Sequence, residues 1–141
     1  MLNKLLYSVT RKMETESAHF LPGHPGLCGN LHGHTYRWEV RIFSGELKDD
    51  MVIDFGDLKK IMNDTIGRFD HAIIVPKESS GAYFLSTQRV VAMPYRPTAE
   101  RMAADVFEKI KKILEEEYPH LSLGYVSCRE TSNNEATCYG V

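Results

Sequence analysis

The sequence predicts an α+β domain: a four-stranded antiparallel sheet with two helices packed on one face, in the order ββααββ. Three observations carry this. Apolar and polar residues alternate near both ends of the chain, which is the period-two pattern of strands with one buried face. Between those ends lie two stretches whose apolar residues recur at helical spacing on one side only. One-sided helices need a second layer to cover their stripe, and an antiparallel sheet with one solvated face supplies it.

Leu5 to His19 reads as the first strand, with Tyr7, Val9, Arg11 and Met13 alternating against polar or small neighbours. Leu21 to Asn30, rich in Gly and Pro, turns the chain back. His34 to Phe43 is the second strand, on which Tyr36, Trp38, Val40 and Ile42 alternate. Ser44 to Asp50 is turn-like, and Met51-Val52-Ile53 leads into a helix capped by Asp54. Its stripe is Phe55, Leu58, Ile61, Met62, Ile66 and Phe69. Ala72 to Pro76 and Gln88 to Met93 are short apolar runs on either side of a turn region, expected to form a hairpin or a small lateral ribbon. Thr98 caps the second helix, with Glu100 in its first turn where the dipole favours an anion. Met102, Ala103, Val106, Phe107, Ile110, Ile113 and Leu114 form its stripe, and the helix stops before Pro119. Leu121 to Glu130 and Ala136 to Val141 are the last two strands, joined by Ser132-Asn133-Asn134. Such a sheet has two edges, and long edges are rarely left bare, so association through the edges is expected.

The 141 residues suit one domain, 1–141, with a core of its own. Hydrophobic and charged contents of 43% and 26% are those of a globular protein in water, and a net charge of −2 calls for neither nucleic acid nor a membrane surface. Cys28, Cys128 and Cys138 are odd in number and unevenly spaced, unlike a secreted disulfide framework. The stretch Met1 to Ser8 has no apolar run long enough for a signal peptide or a span. The expected compartment is the cytoplasm.

The stretch that carries chemistry is Cys28-Gly29-Asn30-Leu31-His32-Gly33-His34. On a strand, residues two apart share a face, so His32 and His34 point the same way. Pairing the first two strands brings His19 beside them. Three imidazoles on one face are a ligand set for a divalent transition metal, zinc foremost, and three protein ligands leave a position open, as in catalytic sites. Cys28 as a fourth ligand would close the site, and spacing alone leaves that alternative open. Cys128 and Cys138, both in strands, read as packing thiols. His24 and His120, in loops that contain Pro, read as solvent-facing.

Ser17-Ala18-His19-Phe20, Cys28-x3-His32-Gly33-His34, Phe69-Asp70-His71, Pro97-Thr98-Ala99-Glu100 and Arg129-Glu130-Thr131 resemble, in order, the motifs of the 6-pyruvoyl-tetrahydropterin synthase and 6-carboxytetrahydropterin synthase family. The likeness runs from about Leu5 to the C-terminus. Three residues between the cysteine and His-Gly-His resemble the 6-carboxytetrahydropterin synthases of queuosine biosynthesis. Ile74-Val75 and Arg101 depart from the residues common in the family.

The resemblance implies the tunnelling fold, with sheets of several subunits joined edge to edge into a barrel and two rings stacked as a homohexamer, a dimer of trimers. It implies the substrate 7,8-dihydroneopterin triphosphate, converted to 6-carboxytetrahydropterin, acetaldehyde and triphosphate. It implies Zn2+ held by His19, His32 and His34, with Cys28 as the base that takes a carbon-bound proton. Thiols are mostly protonated at neutral pH, so that role needs a nearby cation. Asp70 and His71 are implied as a second proton-handling unit. Adjacent residues seldom pair directly in a strand, so the two are expected to meet through a turn or across a subunit contact. Glu130 is implied to anchor the pterin by accepting from the 2-amino group and ring N3–H, with Thr98 contributing at the same end. The nearest rivals keep this site and make 6-pyruvoyl-tetrahydropterin or cleave the side chain for a folate route. A rival of another class is a non-catalytic zinc- or pterin-binding module closed by Cys28.

Overall fold

A computed structural model describes residues 4–140. Residues 1–3, where the N-terminal stretch begins, and Val141, the expected end of the last strand, lie outside the described residues. The elements are β1 (Tyr7–His19), β2 (His32–Ser44), α1 (Phe55–Ile66), β3 (Ala72–Pro76), β4 (Val90–Met93), α2 (Ala99–Glu117), β5 (Ser122–Arg129) and β6 (Glu135–Tyr139).

The α+β class holds, but the sheet is not four-stranded and antiparallel. It is a mixed six-stranded sheet in the order β4-β3-β1-β2-β5-β6. The four expected strands are its contiguous antiparallel part. The two short apolar runs form neither a hairpin nor a separate ribbon. β3 adds in parallel to the end of β1, at Ser17–His19, and β4 adds in parallel to β3. A parallel pair cannot be closed by a tight turn. Residues 77–89 therefore carry the chain back through two short 3-10 turns, Lys77–Ser79 and Tyr83–Leu85. Burial explains the addition: Ala72, Ile74, Val75 and Pro76 are buried, so this strand lies inside the sheet and not at its margin.

β2 is the spine. Tyr36, Trp38, Val40 and Ile42 on one face are essentially buried, and both helices lay their stripes against them in one continuous core. Each such fully buried side chain contributes about 1.5–3 kcal/mol. Asp54 caps α1 by accepting from the Gly56 N–H at 2.7 Å, and Thr98 caps α2 by accepting from the Arg101 N–H at 3.2 Å. Phe55, expected in the α1 stripe, is exposed. Phe69 is buried but belongs to a separate 3-10 turn, Gly67–Phe69. The opposite face of the sheet is polar, with cross-strand ion pairs Lys12–Glu39 and Glu14–Arg37. Among the described residues no helix is long and apolar enough to cross a membrane.

Candidate functional site

The β1–β2 register pairs His19 with His32 and Ser17 with His34. His32 and His34 share the helix-facing side of the sheet, and the pleat delivers all three imidazoles to one spot. Their ligand atoms lie within 4.8 Å of one another. His19 is 1% exposed, while His32 and His34 are half-buried.

Hydrogen bonds decide which nitrogen of the His19 and His32 rings faces inward. His19 Nδ1 lies 2.8 Å from the Pro97 carbonyl, and His32 Nδ1 lies 2.6 Å from the Asn30 carbonyl. A carbonyl only accepts, so both Nδ1 atoms carry the proton and donate. Each Nε2 is then a bare lone pair, and the two stand 3.0 Å apart. His34 Nε2 is buried and has no hydrogen-bond partner among the described residues. Burial pushes the His19 pKa down to about 4, against the Pro97 carbonyl and with help from the neighbouring imidazoles, so a proton is a poor guest there at neutral pH. Burial also lowers His34, opposed by Glu130. Converging lone pairs with no proton between them fit a divalent cation. Among the described residues, Cys28 does not belong to this cluster, and the closed four-ligand arrangement gains no support.

Two residues join the site that spacing did not single out. The Tyr36 hydroxyl lies 3.1 Å from His19 Nδ1, and burial raises its pKa. Its position two residues after His34, on the same face, was the available signal. Pro97, which precedes the Thr98 cap, contributes only a backbone carbonyl, and no side-chain pattern reveals that.

The loop between β1 and β2 folds tightly on itself. Leu21 N–H donates to the Cys28 carbonyl at 2.8 Å and His24 N–H to the Leu21 carbonyl at 3.1 Å. A Cβ at Gly29 would stand 2.8 Å from the His24 carbonyl oxygen, so only glycine permits this closure. Cys28 sits exposed in the short turn Leu27–Gly29. Cys128 is buried and Cys138 half-buried, both as free thiols, and burial raises both pKa values. His24 is exposed, whereas His120 is half-buried with its Nδ1 shielded and unpaired among the described residues.

Asp70 and His71 meet through a turn, one of the two ways expected. His71 has φ 55°, a left-handed conformation that folds its ring back on its neighbour. For a non-glycine residue this costs about 1–3 kcal/mol and persists only where the surroundings impose it. The Glu16 N–H donates to Asp70 Oδ1 at 2.8 Å, and the His71 N–H donates to the Glu16 carbonyl at 2.6 Å. His71 Nδ1 lies 3.0 Å from Asp70 Oδ2. The Glu16 amide, and then His71, hold the Asp70 carboxyl below the usual carboxylate range. The His71 side chain is exposed, and among the described residues no hydrogen bond joins this pair to Cys28.

Glu130 follows β5 and is half-buried, its Oε1 3.9 Å from His19 Nε2. It opens onto a depression lined by Ala99, Glu100, Asn133, Asn134 and Ala136. Thr98 is half-buried at the start of α2, next to Pro97.

The family model described as 6-pyruvoyl tetrahydropterin synthase matches residues 8–141. The 6-carboxy-5,6,7,8-tetrahydropterin synthase of Haemophilus influenzae is 39% identical over 118 residues, covering 75% of this chain and 83% of that protein. The solved 6-pyruvoyl tetrahydropterin synthase of Caenorhabditis elegans superposes with a TM-score of 0.73 at 27% identity, covering 100% of each chain. An uncharacterized protein of Wolinella succinogenes has the same fold, with a TM-score of 0.81 at 19% identity, covering 97% of this chain and 99% of that one.

Proposed function

The chain belongs to the 6-pyruvoyl tetrahydropterin synthase family, and from that membership we propose that it is a zinc-dependent 6-carboxy-5,6,7,8-tetrahydropterin synthase. It converts 7,8-dihydroneopterin triphosphate to 6-carboxytetrahydropterin, acetaldehyde and triphosphate, in the cytoplasm and within queuosine biosynthesis. The observation that carries this reading is the convergence of three imidazole nitrogens beside the Glu130 carboxylate. The 6-carboxy product, in preference to the 6-pyruvoyl one, is favoured by the Cys28-x3-His32 spacing and by the Haemophilus relative.

His19, His32 and His34 would hold the zinc, which when bound supplies Lewis acidity toward the hydroxyls of the substrate side chain. The Pro97 and Asn30 carbonyls keep two of those rings in the tautomer that offers Nε2. Glu130 binds the pterin by accepting from its 2-amino group and N3–H, and the depression beside it gives the ring room. Thr98 contributes its hydroxyl at the same end. Cys28 Sγ takes the carbon-bound proton as general base. Asp70 fixes the proton of His71 on Nδ1 and leaves Nε2 to exchange protons with the reacting side chain.

The domain works as a homohexamer, a dimer of trimers. On the side away from β2, β1 pairs with a strand of the described residues at Ser17–His19, and Glu16 is taken by Asp70 and His71, so its backbone from Tyr7 to Thr15 offers an edge to a neighbour, and β6 offers another. The exposed Asp70–His71 pair then serves a site completed at the subunit contact.

The test is product analysis with 7,8-dihydroneopterin triphosphate and the zinc-loaded protein. Acetaldehyde with 6-carboxytetrahydropterin is expected, and Cys28→Ala should retain the metal while turnover falls about 10²–10⁴-fold. A 6-pyruvoyl product, or another cleavage without acetaldehyde, replaces this reading with its family rivals. No turnover at full metal occupancy leaves a binding module.

A further inference from the structure

The Asp70–His71 pair sits on an exposed turn, yet its geometry is imposed from beneath. Trp38 Nε1–H donates to Thr15 Oγ1 at 3.0 Å. The Thr15 and Ser17 hydroxyls lie 3.3 Å apart, and Ser17 O–H donates to the Phe69 carbonyl at 2.7 Å. An indole N–H only donates and a carbonyl only accepts, so this series has one direction. It runs from Trp38 through Thr15 and Ser17 to Phe69, each hydroxyl accepting one bond and donating one. Thr15 and Ser17 are buried, and the series satisfies both. The Trp38 ring also stacks on the Phe69 ring, with centroids 5.7 Å apart and planes at 5°. Phe69 is therefore gripped at its ring and at its carbonyl. Asp70 and His71 follow directly, and both are bonded to the backbone of Glu16, the residue before Ser17.

We propose that Ser17 is a positioning residue for Asp70 and His71: its hydroxyl ends a buried hydrogen-bond relay that clamps the Phe69 carbonyl and keeps His71 left-handed. The inference rests on the reading of Asp70–His71 as a proton-handling pair. A left-handed non-glycine residue relaxes to ordinary backbone unless its neighbours forbid it. The Phe69 carbonyl is the last buried anchor before His71. Without the Ser17 hydroxyl that carbonyl is buried and unpaired, and rotating it toward water pulls Asp70 and His71 away from Glu16. The three bonds to Glu16 and Ser17 also tie the pair to β1 just before His19, so the turn and the imidazole cluster share one rigid support.

The test compares Ser17→Ala, Ser17→Thr and Thr15→Val with wild type by single-residue amide hydrogen exchange and by steady-state turnover of the zinc-loaded protein. In Ser17→Ala the His71 amide should lose protection by about tenfold or more, the effect of leaving a buried carbonyl unpaired. Amides of the β1–β2 ladder around Val40 should keep theirs, and metal stoichiometry should not change. Turnover should fall by about tenfold or more through kcat with KM held, since positioned proton transfer is worth typically about 10²–10⁴-fold. Ser17→Thr, which keeps the hydroxyl, should restore both readouts. Unchanged protection at His71, or a loss shared evenly by the ladder, overturns the clamp. Lost protection with kcat intact overturns its role in positioning. Thr15→Val, which leaves the Ser17 donor in place, should keep His71 protection, and its loss there overturns the assignment of the clamp to Ser17. If Ser17→Ala does not fold, Ser17→Cys, whose thiol is only a weak donor, is judged by the same criteria as Ser17→Ala. The exchange measurement needs no substrate. Absent turnover in wild type therefore refutes the lyase reading, while the His71 amide alone decides the clamp.

Discussion

Acid should destabilise the metal-free protein through His19 in a defined window. The side chain is 1% exposed, and burial lowers its pKa from 6.5 to about 4. A depressed folded-state value means that the unfolded chain binds a proton that the folded chain refuses. The stability is therefore whole above pH 6.5 and is lost as the pH falls toward 4. The full loss is about 3 kcal/mol, and about 2 kcal/mol of it is gone by pH 5. The perturbation is His19→Asn, whose amide can still donate to the Pro97 carbonyl but does not titrate. Urea unfolding of chelator-treated wild type and variant, at one protein concentration and at pH 7.5, 6 and 5, gives the comparison. Carboxylates that do not contact His19, including Asp70 and Glu135 with their lowered values, titrate alike in both proteins and cancel in the difference. Wild type should lose about 2 kcal/mol more than the variant by pH 5. Parallel declines would refute the burial argument and, with it, the claim that His19 presents an unprotonated Nε2.

Two further outcomes follow from the same geometry. The His32→Ala His34→Ala double variant should lose stoichiometric metal by elemental analysis, and full occupancy in it, or no metal in wild type, sinks the three-histidine assignment. Glu130→Gln should weaken pterin binding by roughly 30- to 1,000-fold, from about 2–4 kcal/mol for a lost charge-assisted bond and an unpaired donor; calorimetry with free pterins checks it, and unchanged affinity moves the anchor elsewhere.

Much of this was legible because side chains wrote it. The period-two run from Tyr36 to Ile42 and the stripes of both helices are local patterns, and each became the element it predicts. The histidine cluster was legible for the same reason: a strand puts His32 and His34 on one face, and an antiparallel return sets His19 opposite His32. β3 and β4 were not, because parallel addition to β1 is a non-local event that short apolar runs do not encode. The Asp70–His71 pairing required a left-handed backbone at a histidine, a conformation that is uncommon outside glycine and that the neighbouring sequence does not mark. The Pro97 and Asn30 carbonyls are main-chain groups, and their aim depends on where α2 and the Gly-rich loop come to rest.

All three imidazoles stand on a single ladder, paired without interruption from Tyr7↔Ser44 to His19↔His32. No bond of that ladder depends on an ion, unlike the small zinc modules that exist as folded chains only when loaded. On the proposed reading, the centre could therefore be emptied and refilled while this ladder stays paired. Withdrawal of the proposed ion would then leave a dormant protein and not a damaged one. A cell starved of that ion would see the existing pool fall silent and then recover on resupply, with no need for fresh synthesis.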